Sequence, residues 1–134
     1  SGVALVSLAP RLSMLAAGLG PGPGHGDLTV SAATGHDPRL YNAAKELPVP
    51  RLLALLEQAH SLVSVDTGPA HAAAALGCPL VVMFGAASPA KWRPIGPGAI
   101  TVLGGERGEA SRVRDIPAGE AITAWLALPD RAPA

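Results

Sequence analysis

The sequence predicts an α/β fold built on an open, mostly parallel sheet with flanking helices. Short apolar runs of strand length alternate with amphipathic stretches of helix length, as in parallel sheets joined by crossover helices. The 134 residues suffice for one hydrophobic core and are too few for two. Hydrophobic residues make up 49% of the chain and aromatic residues only 3%. Ala, Val, Leu and Ile must therefore fill the core, which suits a parallel sheet covered by helices.

Apolar runs of strand length supply the predicted sheet. They are rich in Val, Leu and Ile and are mostly bounded by turn-forming residues, as buried strands are. They are Val3–Leu8, Leu28–Ala32, Leu62–Val65, Leu80–Phe84 and Ile100–Leu103. We also expect a short extended piece at Leu40–Asn42 and an edge strand at Val113–Ile116.

Apolar residues repeated every three or four positions predict the helices. They are Arg11–Leu19, a helix that Pro50 opens, Pro69–Leu76 and Ala118–Leu128. Gly77 is placed to cap the end of the third helix, because glycine readily adopts the left-handed conformation found there.

The same spacing assigns the buried faces of two helices. After Pro50 the inward residues are Leu52, Leu55, Leu56 and Ala59. In the last helix the inward residues are Ile122, Trp125 and Leu126. We expect His60, which follows the first of these helices, to cap its end.

Composition argues against several classes of protein. The formal net charge is zero and Lys and Arg do not cluster, so nothing supports nucleic-acid binding. No apolar run approaches the ~20 residues of a membrane span. Cys78 is the only cysteine, so no internal disulfide can form, and it is expected to be a small buried hydrophobe in a reducing compartment. The chain begins without a basic leader or an initiator Met, which predicts a fragment or a tag remnant.

Alternating Gly and Pro predict a loop at Gly18–Gly26. A dinucleotide-binding loop is rejected here, because Pro21 and Pro23 lack the N–H donors that cradle phosphate and no strand-to-helix junction follows. His25 is expected to face solvent, and no neighbouring residues supply metal-ligand spacing, so we predict no metal site.

The most informative stretch begins directly after Val65, where a turn leads into the next helix. Ligands of open α/β sheets bind beyond the carboxyl ends of strands, close to helix N-termini. Free N–H groups and the helix dipole favour an anion at such a place. Gly68 lets a ligand approach the backbone, and Thr67 and His71 add a hydroxyl and an imidazole. Asp66 is expected to cap the helix or to accept hydrogen bonds from ligand hydroxyls.

A loop of small residues follows Phe84, beside the same edge of the predicted sheet. Its Gly and Ala residues leave room for a ligand, and Ser88, Lys91 and Arg93 are candidate polar contacts. A merely solvated loop explains the two cations equally well. Trp92 is expected to pack the loop against the domain.

Together these residues resemble the C-terminal domain of the ADP-heptose:lipopolysaccharide heptosyltransferase family, glycosyltransferase family 9. The family pattern is close to D-[ST]-G-x-x-H-x-x-x-A-x-G-x-P, followed by F-G and by a P-x-x-W-x-P loop. The matching segments are Asp66–His71, Ala73–Pro79, Phe84–Gly85 and Pro89–Pro94. The resemblance is strong over Leu52–Pro94 and weaker on both sides.

The resemblance implies a GT-B architecture, in which two Rossmann-like domains enclose the active site. The C-terminal domain of that architecture binds the nucleotide sugar and the N-terminal domain binds the acceptor. Residues 1–134 would then form a single Rossmann-like nucleotide-sugar-binding domain, with 1–40 only loosely assigned and the N-terminal acceptor domain absent.

By resemblance, the donor diphosphate and sugar would be bound by Asp66, Thr67, Gly68 and His71. Leu47, from its spacing before Asp66, would lie against the nucleotide base. Ser88 and Lys91 are the candidate secondary contacts.

The activity implied is inverting, metal-independent transfer of a sugar from an NDP-sugar, ADP-heptose, to a lipopolysaccharide-type acceptor, without a cofactor. The implied location is the cytoplasm, peripheral to the inner membrane where a lipid-linked acceptor would lie. The family's catalytic base is an acidic residue of the N-terminal domain. The chain alone is therefore expected to bind a donor and not to transfer it.

The sequence departs from the family pattern in two places. Ala86 and Ala87 stand where the family often has Pro-Thr, and the family's Lys-containing phosphate-binding stretch is missing before Asn42. An alternative is a non-catalytic nucleotide-binding or interaction module, a fragment or degenerate remnant that works with a missing-domain partner or as a homo-oligomer. A third option, a sugar-nucleotide epimerase, lacks the expected N-terminal glycine fingerprint.

Overall fold

The computed structural model describes residues 4–9, 13–19 and 40–131. The strands are β1 (Ala4–Ala9), β2 (Ser13–Leu19), β3 (Leu40–Leu47), β4 (Ser61–Val65), β5 (Leu80–Phe84) and β6 (Ile100–Gly104). The helices are α1 (Val49–Gln58), α2 (Gly68–Ala75), α3 (Pro89–Trp92) and α4 (Ala118–Leu126), with single 3₁₀ turns at Gly108–Ala110 and Val113–Asp115. The predicted strand Leu28–Ala32, His25 and all but the first two residues of the Gly/Pro loop lie outside the described residues.

The described strands form one sheet in the order β3-β2-β1-β4-β5-β6. β4, β5 and β6 are parallel to one another, and so are β2 and β3. β1 is antiparallel to both of its neighbours, β2 and β4. Because only β1 runs against the other five, the predicted open, mostly parallel sheet is confirmed.

The two faces of the sheet are covered by different helices. The main core joins Leu52 and Leu56 of α1 and three alanines of α2 to Leu62, Leu80 and Val82 of the sheet. Successive residues of a strand point to opposite faces. Ser61, next to Leu62, therefore faces the other way, and its hydroxyl accepts a 2.8 Å hydrogen bond from Nε1 of Trp125 in α4. α1 and α2 thus cover one face and α4 packs on the other.

α1 and α2 form where the sequence predicts them. In α1, Pro50 lies in the first turn and Leu52, Leu56 and Ala59 are buried, as expected. α2 ends at Ala75, and Gly77, two residues later, closes it with a φ of +76°. The Gly77 amide donates to Ala74 O at 3.1 Å and the Cys78 amide donates to Ala73 O at 2.9 Å, which is the hydrogen-bond pair of a Schellman cap.

Several predictions about local structure are wrong. Arg11–Leu19 contains strand β2 instead of a helix, because Ser13–Leu19 pairs with β1 on one side and β3 on the other. The stretch predicted as an edge strand, Val113–Ile116, contains a 3₁₀ turn in which the Asp115 amide donates to Arg112 O.

The predicted inward face of α4 is also wrong. Ile122 and Leu126 are 55% and 43% exposed. The half-buried residues are Ala121, Ala124, Trp125 and Leu128, which follow the same three- and four-residue spacing. The buried stripe is therefore rotated by one residue from the predicted one, and Trp125 belongs to both.

Side chains from the C-terminal segment hold the amino edge of the sheet, where β4, β5 and β6 begin. Arg131 Nη1 donates to Leu56 O at 2.6 Å and Ala59 O at 2.9 Å, and its Nη2 donates to Leu76 O at 2.7 Å. One guanidinium thus binds the last carbonyls of both α1 and α2, which a helix leaves without intrahelical partners. The C-terminal capping role predicted for His60 belongs to Arg131.

Candidate functional site

The predicted site lies where β4 ends and α2 begins. The Asp66 amide still donates to Met83 O of β5 at 3.1 Å, so the chain leaves the sheet immediately after Val65. Thr67 has an extended backbone with φ −142° and ψ 177°, and the helix begins at Gly68. The turn therefore stands at the carboxyl edge of the parallel strands, as the sequence predicts.

In the first turn of α2, the Gly68 amide has no hydrogen-bond partner among the described residues. Pro69 has no N–H, and the Ala70 amide donates to Thr67 O at 3.0 Å. Gly68 is exposed, whereas Pro69 and Ala70 are buried. Gly68 therefore offers its N–H and an unobstructed backbone to a ligand, at the end of the helix where the dipole favours an anion.

The structure brings Asp66 and His71 together above this turn. His71 Nε2 lies 3.6 Å from Asp66 Oδ1, and the side chains are 48% and 18% exposed, respectively. The Asp66 carboxylate is thus mostly buried and positions the His71 imidazole, about half of which remains exposed to solvent. With Nε2 facing Asp66, the other ring nitrogen, Nδ1, has no hydrogen-bond partner among the described residues, and it can donate to an anion only when the imidazole carries both protons.

One expectation for Asp66 is wrong. The residue at the N-cap position of α2 is Thr67, and no side-chain capping bond is formed there. The Thr67 hydroxyl instead donates to Val65 O at 3.4 Å. The carboxylate of Asp66 lies close to His71 instead of binding the helix amides, because the extended Thr67 residue separates it from the first turn.

Chain packing fills much of the space after β5 that small residues were expected to leave for a ligand. A side chain at Gly85 would meet the backbone of Val113 at 3.4 Å, and Ala87 packs against the main core. A side chain at Gly105 would lie 2.5 Å from Pro89 Cγ. Close packing therefore explains the glycine at position 105, whereas a side chain at Gly85 would make only ordinary van der Waals contact.

The three remaining predicted contacts are Ser88, Lys91 and Leu47, and none of them has a contact with Asp66 or His71 assigned in the described region. Ser88 is exposed at the N-cap of α3, and Lys91 Nζ lies 5.2 Å from the centroid of the Trp92 ring. Trp92 is 52% exposed, so the prediction that it packs the loop against the domain is wrong. Leu47 ends β3 at the same edge as Asp66 but three strand positions away, about 14 Å at the usual strand spacing.

A cavity that the sequence did not predict lies at the carboxyl end of β6. It measures about 420 Å³ and is bordered by Arg107, Ser111 and Arg112, with the carboxylates of Glu106, Asp115 and Glu120 around it. The Arg107 amide donates to Ser111 Oγ at 2.8 Å. The cavity is two strand positions from the Asp66 turn and has mixed charge, so it extends the polar edge without defining an anion site.

Neither metal ligation nor a membrane span is evident in the described part of the chain. Residues 4–9, 13–19 and 40–131 contain no group of three or more His, Cys, Asp or Glu side chains placed to hold a metal ion. Within the same ranges, no helix has the length and apolar character needed to cross a bilayer.

Cys78 is buried, as expected, between the end of α2 and the start of β5. Burial raises the pKa of its thiol to about 11, against a smaller lowering by the nearby positive charge of Arg131. A thiol with so high a pKa is almost entirely protonated at neutral pH, which excludes it as a nucleophile in the folded protein.

Parallel strands, helices on both faces and a helix N-terminus at the carboxyl edge define a Rossmann-like α/β domain. The chain belongs to glycosyltransferase family 9 (heptosyltransferase), whose model matches residues 27–120, more than half of the chain. The family resemblance read from the sequence is therefore confirmed.

A curated relative agrees with this assignment. Lipopolysaccharide heptosyltransferase 3 of Escherichia coli is 40% identical over 57 residues, which cover 42% of this chain and 17% of that protein. The chain thus corresponds to a small part of this relative. No solved structure matches the chain significantly.

Proposed function

We propose that this chain is the donor-binding domain of a glycosyltransferase that moves a sugar from an NDP-sugar, ADP-heptose, to a lipopolysaccharide-type acceptor. The observation that carries the proposal is the turn at the carboxyl end of β4. In a family 9 chain, this turn combines an exposed Gly68 amide with a His71 imidazole that Asp66 orients from 3.6 Å. The Gly68 amide donates, and His71 donates from Nδ1 when the imidazole is protonated, so together they suit the diphosphate of an NDP-sugar.

The proposed chemistry is a single inverting displacement. An acceptor hydroxyl attacks the anomeric carbon, the bond from that carbon to the diphosphate oxygen breaks, and the bonding electrons leave with the diphosphate. The Gly68 amide and His71 stabilise the charge that develops on the leaving group, and the Thr67 hydroxyl joins them by turning away from Val65 O. Asp66 orients His71 and accepts a hydrogen bond from a sugar hydroxyl.

The proton of the acceptor hydroxyl goes to a base outside the residues that bind the diphosphate. We place that base in a part of the enzyme beyond this domain, which agrees with the small share of the curated relative that the chain matches. Leu47 would lie against the base of the nucleotide, and Ser88 and Lys91 would make secondary contacts to the donor. No metal or cofactor enters the proposed step.

Nucleotide binding tests this proposal directly. A panel of ADP, UDP, GDP and their sugars is added in a thermal-shift experiment, in which a ligand at 100 times its dissociation constant stabilises the protein by about 2.7 kcal/mol. ADP and ADP-heptose are expected to give the largest shifts. If none of the nucleotides raised the melting temperature, the proposal would be wrong, and an interaction module without a nucleotide site would be favoured.

A substitution at His71 localises the site. His71→Ala should weaken ADP binding about tenfold, because it removes one charge-assisted contact worth about 1.4 kcal/mol. His71→Asn, whose side-chain amide can still donate, should lose less. Unchanged ADP affinity in calorimetry of both variants would exclude His71 from the site.

A further inference from the structure

The cavity at the carboxyl end of β6, which we call the β6 cavity, is shaped by two consecutive glycines. Gly104 and Gly105 both have a φ of +79°, in the left-handed region that favours glycine. A side chain at Gly104 would overlap Phe84 O, and one at Gly105 would lie 2.5 Å from Pro89 Cγ. The chain therefore bends sharply as it leaves the sheet, and the cavity lies between β6 and the segment that leads to α4.

The lining of the β6 cavity has an apolar part and a charged part. Val102, Leu103 and Ile116 are half-buried and supply the apolar part. Five charged side chains are exposed around it, namely Glu106, Arg107, Arg112, Asp115 and Glu120. The volume of about 420 Å³ falls within the roughly 300–1,000 Å³ of small-molecule sites, which also combine apolar walls with convergent polar groups.

The charged side chains around the β6 cavity keep their hydrogen-bonding capacity. Within residues 4–9, 13–19 and 40–131, no ion pair or side-chain hydrogen bond is assigned to any of the five, although both signs border one cavity. The Arg107 backbone amide, and not its guanidinium, donates to Ser111 Oγ at 2.8 Å and fixes the loop. Two guanidiniums and three carboxylates are thus available to a ligand that both accepts and donates hydrogen bonds.

We propose that the β6 cavity binds a neutral sugar residue. Each sugar hydroxyl can donate to a carboxylate and accept from a guanidinium, so one ligand uses both kinds of charged group. The C–H groups of the sugar ring would lie on the apolar part of the lining. A hydrogen bond between a charged and a neutral group needs no opposite charge on the ligand, which suits a cavity of mixed sign.

The lining of the β6 cavity argues against a charged ligand. A phosphate or carboxylate ligand would face three carboxylates, and an organic cation would face two guanidiniums, so each meets repulsion. The three carboxylates are also not a metal site, because the described residues contain no group of three or more acidic, His or Cys side chains placed to hold an ion. A neutral polyhydroxyl ligand avoids both repulsions.

Sugar binding in the β6 cavity does not depend on the proposed donor site. The cavity lining contains none of Asp66, Thr67, Gly68 and His71. β6 lies two strand positions from β4, about 10 Å at the usual strand spacing, so the two sites would be neighbours along one sheet edge. Only the role in transfer, holding a sugar of the acceptor beside the donor, rests on the proposed function.

An NMR titration of the backbone amides tests this inference with the chain as it stands. Methyl glycosides of glucose, galactose and mannose are added separately at millimolar concentrations, with cyclohexanol and inorganic phosphate as controls. At least one glycoside should shift the amide signals of Gly104, Gly105 and Arg107, with an affinity that changes little as salt is raised, because the ligand is neutral. Cyclohexanol and phosphate should leave these signals in place.

Three results of the titration would overturn the inference. If no glycoside moved the signals of the β6 cavity, no sugar would bind there. An equal response to cyclohexanol would show that ring burial alone is read, and an equal response to phosphate would show an anion site.

Two double variants that each remove one cation and one anion assign the binding to charged side chains. Arg112→Gln with Glu120→Gln changes the cavity lining and should raise the glycoside dissociation constant about tenfold, because two charge-assisted hydrogen bonds are lost. Arg114→Gln with Glu109→Gln changes exposed residues that do not line the cavity and should leave that constant unchanged. Equal effects of the two variants, at melting temperatures equal to the wild type, would overturn the inference.

The same spectra separate this inference from the proposed function. ADP should shift the amide signals of Gly68 and His71, and a glycoside should shift those of Gly104 and Gly105. A protein that responds to ADP but to no glycoside would keep its donor site and lose the β6 sugar site. A protein that responds to a glycoside but not to ADP would lose the donor site and keep the β6 sugar site.

Discussion

The two described histidines lie at opposite edges of the sheet, and each has an aspartate partner. At the carboxyl edge, His71 Nε2 is 3.6 Å from Asp66 Oδ1 and 48% of its side chain is exposed. At the amino edge, His60 Nε2 is 3.1 Å from Asp130 Oδ1 and only 17% of its side chain is exposed. His60 Nδ1 also lies 3.1 Å from Ser61 Oγ, so both of its ring nitrogens have partners.

This difference separates a histidine that can bind a ligand from one that has a structural role. Among the described residues, His71 has one partner, Asp66 at 3.6 Å, and no partner at its other ring nitrogen, so a ligand can complete its contacts. His60 has no capacity left for a ligand, because Ser61 and Asp130 take both ring nitrogens and Ser61 also accepts from Trp125. A histidine beside a carboxylate is thus not enough to indicate a binding site. The histidine must also be exposed and have a ring nitrogen without a hydrogen-bond partner.

The largest expected effect is at the amino edge, in Arg131→Ala. The change removes three charge-assisted hydrogen bonds to Leu56 O, Ala59 O and Leu76 O, and leaves part-buried helix carbonyls without a partner. We expect a loss of about 3 kcal/mol in the free energy of unfolding, measured by urea denaturation. Arg131→Lys should recover only part of it, because one ammonium cannot reproduce the planar fork.

Arg114 is the matched control for this prediction, since it is an exposed arginine with no hydrogen bond assigned to its side chain in the described region. Arg114→Ala should change stability by less than about 0.5 kcal/mol. Equal effects of the two alanine substitutions would show that the C-terminal segment does not hold α1 and α2 together.

The next effect is a pH dependence of stability due to Cys78, also at the amino edge. Burial raises the pKa of its thiol from 9.0 to about 11 in the folded protein. The unfolded chain therefore loses the thiol proton first, and the folded state loses stability as pH rises from about 9 to about 11. The loss should be on the order of 2–3 kcal/mol, at 1.36 kcal/mol for each pKa unit.

The contribution of Cys78 is isolated by comparing the wild type with Cys78→Ala across this range. Other groups titrate in both proteins, so the difference between their denaturation curves reports the thiol. The variant should be less stable at neutral pH because a buried group is lost, and the gap should narrow above about pH 9. A constant gap would contradict the raised pKa.

The central part of the fold, from α1 to β6, could be predicted from the sequence because local signals and tertiary packing agree there. Leu80–Phe84 is a strand with the predicted bounds, and α2 lies between its predicted Pro and Gly signals to within one residue. Ser13–Leu19 could not be predicted, because leucines and alanines at helical spacing also fit a strand of this length. Pairing with β1 and β3 decides the outcome.

The position of the candidate site residues at the sheet edge could be predicted, but the contacts among their side chains could not. The order strand, turn, helix places Asp66, Thr67, Gly68 and His71 at one sheet edge without any structure. The closeness of Asp66 to His71 depends on the extended conformation of Thr67, which no residue signal specifies. Arg131 was missed because it acts on α1 and α2 from far away in the sequence, and the carbonyls it binds are backbone groups.

Exchanging the two histidines for alanine tests the contrast between the two edges most directly. His60→Ala should cost about 1 kcal/mol of stability, because one part-buried and one exposed hydrogen bond are lost, and should leave the ADP dissociation constant unchanged. His71→Ala should cost less than about 0.5 kcal/mol of stability and raise that constant about tenfold. If both variants lowered only stability, or both raised the ADP dissociation constant, the distinction between a ligand-binding and a structural histidine would be wrong.

The smallest expected effect is that of Gly77→Ala, at the C-terminal end of α2, compared with Gly119→Ala in α4. Gly77 closes α2 with a φ of +76°, and the nearest atom to an added Cβ is Pro97 Cγ at 3.6 Å, so Gly77→Ala meets a conformational penalty without a clash. We expect it to cost about 1 kcal/mol. Gly119, in the first turn of α4, has open space and no positive φ, so Gly119→Ala should gain about 0.5 kcal/mol. Because the Gly77 cap fixes the end of α2 opposite to His71, its alanine variant should keep ADP binding; weakened binding would show that the two edges are coupled through the helix.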